Sequence, residues 1–80
     1  MSAILDLPTC IRAAYQDGHI DIGYADGVEV RFPVTANQRL RGQAAEKLNH
    51  IEIGHFGLHW PDLDEDLSHA GLRAGRFGLP

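Results

Sequence analysis

The sequence predicts an α+β fold: an antiparallel sheet of about five short strands with one or two short helices against one face, in a single domain. Three observations lead there. Successive runs alternate apolar and polar residues with period two, Asp-Gly pairs punctuate them at residues 17–18 and 26–27, and only short stretches carry a helical pattern. Eighty residues lie near the small end of what folds alone. Such a chain buries only about 60% of its unfolded surface, which leaves a few kcal/mol of net stability.

Residues 1–9 show no usable periodicity and read as an N-terminal arm, residues 10–75 as the α+β domain, and residues 76–80 as a C-terminal tail. Within the domain, Ile11, Ala13 and Tyr15 share one face of a first strand. Ile20, Ile22 and Tyr24 share a face of a second, and Val28, Val30, Phe32 and Val34 a face of a third. Register tests the turns between them. A two-residue loop at Asp17-Gly18 pairs Tyr15 with Ile20, Ala13 with Ile22 and Ile11 with Tyr24, all apolar. The same loop at Asp26-Gly27 would set Ile22 against Arg31 and mix the faces. A three-residue loop, Ala25-Asp26-Gly27 with Gly27 left-handed, restores Tyr24–Val28, Ile22–Val30 and Ile20–Phe32. It also places Asp21 opposite Arg31 on the wet face.

Pro33 cannot donate to a ladder, so regular pairing ends there. Residues 35–42 are polar and read as a loop, with Leu40 as its apolar anchor. Residues 43–49 hold good helix formers, enough for two turns at most. Ile51 and Ile53 flank Glu52 in a fourth strand, residues 54–57 form a turn, and residues 58–60 a final strand stopped by Pro61. Ser68 suits the N-cap of a short helix over residues 69–74, with Gly75 at its end.

Composition removes several function classes. No run of about 18 apolar residues is present, so no membrane span is expected. The N-terminus lacks the basic and apolar segments of a signal peptide, and a cytoplasmic location is the expectation. The lone Cys10 can form neither an internal disulfide nor a cysteine-rich zinc site. The seven basic residues are scattered, so direct nucleic-acid binding is not expected.

Chemistry-bearing residues concentrate in residues 57–72, GLHWPDLDEDLSHAGL. Here stand the only Trp, Trp60, and the carboxylates Asp62, Asp64, Glu65 and Asp66, which carry as much negative charge as the whole chain nets. The plain interpretation is a solvated acidic run ahead of a helix N-terminus. Beside an aromatic, the same run suits recognition of a partner, and His59, Trp60, Asp62, Asp64, Glu65 and Asp66 are the candidate partner-binding residues. In so small a protein a Trp beside a Pro reads first as a core anchor, and as the alternative a hot spot in a self- or partner-interface.

An enzymatic alternative uses His59 or His55 with Asp64 and Asp66 around a divalent metal. The spacing matches no dedicated ligand motif, lacking both the HExxH pattern and the glycine and distal Glu of a calcium loop. With Leu58 and Trp60 inward, alternation turns His59 outward. Cys10 has no setting that would lower its pKa, and no GxSxG, P-loop or dinucleotide fingerprint is present. No cofactor, metal or catalytic residue is assigned.

The stretch FGLHWPDLDEDLSHAGLRAG resembles a family of small bacterial proteins known only as domain of unknown function number twenty-four forty-two. The shared pattern falls on Gly57, Leu58, His59, Trp60, Pro61, Leu63, Asp64, Glu65, Asp66, Leu67, Ser68, Gly71 and Leu72. Upstream, DGVEVRFPV and NQRLR…EKLNHIEI are similar too, so the likeness spans roughly residues 11–76. Arg73 departs from the pattern, standing where an apolar residue is common. The resemblance implies no catalytic activity or cofactor. It implies that related domains occur fused to a helix-turn-helix domain, and that small members sit beside another small protein in paired, toxin–antitoxin-like arrangements. With only a few residues after Gly75, no fused DNA-binding domain is expected. The expectation is therefore a non-enzymatic interaction module, binding a protein partner of basic character or a second copy of itself.

Overall fold

Six strands and two short helices follow one another as β1 (Cys10–Gln16), β2 (His19–Tyr24), β3 (Glu29–Pro33), α1 (Ala45–Leu48), β4 (Glu52–Ile53), β5 (Gly57–Trp60), β6 (Glu65–Ser68) and α2 (His69–Arg73). They come from a computed structural model that describes residues 7–78. The strands form two three-stranded antiparallel sheets, β1-β2-β3 and β4-β5-β6, where one sheet of five strands was expected. Pro33 ends β3 against His19. A 3-10 turn (Val34–Ala36), a loop and α1 then intervene before β4, and the chain re-enters a sheet of its own.

In the first sheet both turns take the predicted form. Asp17 and Gly18 have φ of 51° and 80°, the double positive φ of a type I′ loop, and Tyr15 faces Ile20 while Ala13 faces Ile22. Gly27 has φ of 88° in the longer loop, with Ile22 opposite Val30, Ile20 opposite Phe32 and Asp21 opposite Arg31. The last pair closes an ion pair of 3.0 Å. The expected Ile11–Tyr24 pair does not form. A bulge between Cys10 and Arg12 puts Cys10 against Tyr24, turning Cys10 inward and leaving Ile11 63% exposed, because one extra residue in a strand reverses the faces beyond it.

The second sheet holds a strand absent from the sequence prediction. β6 (Glu65–Ser68) occupies residues expected to be a solvated bend, with Leu67 opposite Leu58 and Glu65 opposite Trp60. A four-residue turn over residues 61–64 connects it to β5. The Leu63 N–H donates to the Trp60 carbonyl at 3.1 Å, and Asp64 supplies the left-handed position at φ 52°.

Both sheets line one core. Ile20, Ile22, Tyr24, Phe32 and Val34 from the first half meet Leu58, Trp60 and Leu67 from the second, with Leu40, Leu48 and Leu72 between them. Full burial of each large apolar side chain contributes about 1.5–3 kcal/mol. The Trp60 indole N–H donates to the Leu48 carbonyl at 3.0 Å, so its polar atom is satisfied in the interior. Ser68 caps α2, its Oγ accepting the Gly71 N–H at 2.9 Å. Gly75 follows at φ 83°, and the bonds from the Arg76 N–H to the Gly71 carbonyl and from Gly75 to Leu72 complete a Schellman stop. Arg73 packs its guanidinium 4.8 Å from the Tyr24 ring centroid, so a charged residue serves where an apolar one was expected. In the segment foreseen as a tail, Phe77 stacks on Phe32 with centroids 4.6 Å apart. Most of the expected N-terminal arm lies outside the described residues, as do residues 79–80. Among the described residues, no helix is long and apolar enough to cross a membrane.

Candidate functional site

The carboxylates of residues 62–66 do not converge. The turn and the alternation of β6 send them to different partners. Asp62 meets His50, just beyond the C-cap of α1, with Oδ2 and Nδ1 2.8 Å apart. Glu65 turns inward, accepting a hydrogen bond from Asn37 Nδ2 at 2.7 Å, with Arg39 Nε 3.9 Å away. Asp66 points to the opposite face and meets His59, Nδ1 to Oδ1, at 2.8 Å. Asp64 sits exposed at the end of the turn. Trp60 is wholly buried, so within this hairpin it supports the strands from behind.

Cross-strand pairing aligns a second feature. Glu52 faces His59, and His59 faces Asp66, making a carboxylate–imidazole–carboxylate row across the outer face of the second sheet. Alongside the row, Gly57 pairs with Ser68 and leaves a low floor. The turn over residues 54–57 forms a wall that raises Phe56, 82% exposed. Glu52 and Phe56 escaped sequence reasoning. Alternation about Glu52, between two isoleucines, was the signal for the first; nothing local marked the second.

Charge balance differs between the two halves. In the first half each ion-paired carboxylate meets a guanidinium: Asp21 with Arg31, Glu29 with Arg12, and Asp26 with Arg73 at 2.7 Å. That last partner holds the Asp26 carboxyl below its ordinary range, chiefly through the hydrogen bond. In the hairpin, Asp62 and Asp66 meet imidazoles only, and among the described residues Glu52 and Asp64 take part in no ion pair.

Among the described residues, no group of three or more His, Cys, Asp or Glu is placed to hold a metal ion, which removes the geometry that a His59, Asp64 and Asp66 centre needs. The His59–Asp66 pair has the orientation of a proton relay, yet the hydroxyl on the same strand, Ser68, is engaged in capping α2. Cys10 is buried, and burial raises its thiol pKa, away from the thiolate that a nucleophile requires. His69, also buried, bridges the halves: Nδ1 lies 3.0 Å from the Tyr24 hydroxyl and Nε2 2.9 Å from the Gly54 carbonyl. The carbonyl only accepts, so Nε2 carries a proton, and in the neutral imidazole the tyrosine hydroxyl donates to Nδ1.

A crystal structure of a protein of unknown function from Rhodospirillum rubrum superposes on this fold with a TM-score of 0.79, at 35% identity over 92% of this chain and 94% of that one. The solution structure of an uncharacterised protein from Chromobacterium violaceum does so with a TM-score of 0.75, at 32% identity over 89% of this chain and 69% of its own. No curated protein matches. The model of the family described as protein of unknown function (DUF2442) matches residues 10–78, the same stretch that builds both sheets and both helices, and the chain belongs to that family.

Proposed function

We propose that this domain is a non-enzymatic protein-interaction module whose β5–β6 hairpin reads a basic partner. What supports this is the uneven charge balance. Asp21, Asp26 and Glu29 of the first sheet are answered by arginines within the molecule, whereas Glu52, Asp62, Asp64 and Asp66 are left with imidazoles or with nothing among the described residues. An unanswered negative field of this kind speeds encounter with a positively charged surface and rejects acidic ones. A small basic protein supplied together with this one, in a paired arrangement, fits that chemistry.

The test is the double variant Asp64→Asn/Asp66→Asn. Asparagine tolerates the left-handed backbone of residue 64 and Asp66 is exposed, so the melting temperature is expected to stay where it was. Affinity for a partner co-purified from the native host is expected to fall about tenfold, roughly 1.4 kcal/mol, and to lose part of its salt dependence. A double variant that retains the parent's partner at parental affinity and salt dependence rejects the hairpin as the recognition surface.

A further inference from the structure

We infer that the outer face of the second sheet seats a basic segment of a partner protein, which packs an apolar side chain against Phe56 while its cations meet Glu52 and Asp66. This rests on the interaction role proposed above and adds to it a place and a chemistry. The groove on this face runs between the turn over residues 54–57 and the row of Glu52, His59 and Asp66, and among the described residues no Lys or Arg lines it. Its floor is low for two structural reasons. Gly57 has no side chain, and a Cβ there would collide with the Leu67 carbonyl. The Ser68 hydroxyl is drawn away to the start of α2.

Phe56 is an aromatic of the kind that dominates protein recognition, held out in water at 82% exposure. Its backbone is also tied down. The His69 N–H donates to the Phe56 carbonyl at 2.8 Å, and the Gly54 N–H closes the turn onto the Gly57 carbonyl at 2.8 Å. His69 Nε2–H donates to the Gly54 carbonyl at 2.9 Å, and the His55 ring meets Phe56 edge-on with centroids 4.7 Å apart. An anchor whose backbone is tied before binding has less freedom to lose on contact.

Charge selects the occupant. A second copy docking through the same face would bring two acidic rows together with no Lys or Arg from either groove to answer them. An anionic lipid surface meets the same repulsion. A segment that interleaves Lys or Arg with an apolar residue satisfies both the wall and the rim.

The experiment titrates the full chain into three fluorescent peptides of equal length, alternating lysine with leucine, lysine with serine, and glutamate with leucine. Saturable binding is expected for the lysine–leucine peptide, weakened about tenfold or more by Phe56→Ser. The lysine–serine peptide is expected to bind more weakly and to ignore that substitution, and the glutamate–leucine peptide is expected not to bind. Phe56→Ser is expected to melt with the parent, since its side chain lies in solvent.

Equal affinity of parent and Phe56→Ser for the lysine–leucine peptide overturns the groove. The acidic reading survives that result if Asp64→Asn/Asp66→Asn still weakens the native partner. Equal binding of the glutamate–leucine peptide, or none of the lysine–leucine peptide, overturns the proposed chemistry. A parent that sediments as a dimer and becomes monomeric with Phe56→Ser shows a self-interface instead and overturns it as well.

Discussion

Asn37 is wholly buried and spends its entire amide. Oδ1 accepts from the backbone N–H of Arg39 at 2.8 Å and of Leu40 at 3.0 Å. Nδ2 donates to the Glu65 carboxylate at 2.7 Å and to the Phe77 carbonyl at 2.8 Å. Asn37→Asp replaces that donor with an acceptor facing a carboxylate and a carbonyl. Urea unfolding is expected to report a loss of about 2–4 kcal/mol, most of the stability of a domain this small. Nothing near residue 37 announces the role, because two of its partners lie 28 and 40 positions along the chain. Leu40, by contrast, was legible as the one large apolar residue of a polar loop, and Trp60 as a core anchor, since a large aromatic in so short a chain has few other places to be buried.

At the scale of elements, the first sheet was readable and the second only in part. Asp-Gly pairs mark where the chain turns, and requiring apolar residues to share a face fixed the loop length and register at both. β6 was hidden because Glu and Asp disfavour strands and its turn contains no glycine: Asp64 adopts the left-handed conformation itself. Ile11 was misplaced by the bulge, which no local residue signals. Gly57 shows how tightly the second hairpin closes, since a Cβ at that position would strike the Leu67 carbonyl and crowd Ser68. Gly57→Ala is therefore expected to push β5 and β6 apart, lowering stability by about 1–3 kcal/mol. Hydrogen exchange is expected to accelerate in β6 before it does in β2.

For the molecule as a whole, alternation reveals that strands exist but not which sheet each one joins. That choice was made by the long excursion after Pro33 and by a core that both sheets face. Contacts between distant segments hold the halves together. Arg73 of α2 binds Asp26 in the β2–β3 loop with both terminal nitrogens, at 2.7 and 3.3 Å. The Asp26 carboxyl is lowered by that contact, and a lowered native value means the unfolded chain takes up its proton first. The stabilisation is therefore fully present above the ordinary aspartate value of about 3.9 and disappears as the pH drops through the lower native value. Urea midpoints followed through this acidic range are expected to fall more steeply for the parent than for Asp26→Asn. Parallel curves would show that the pair does not link the halves energetically.

The single tryptophan lies with no exposed surface where the two sheets meet, and its indole hydrogen is already committed to a backbone carbonyl. Its emission is thus a built-in gauge of intactness: short-wavelength while the interior stays dry, shifting to the red only when the two halves separate. A ligand settling on the outer groove leaves that colour alone, so one spectrum distinguishes a variant that has lost its partner from one that has lost its shape.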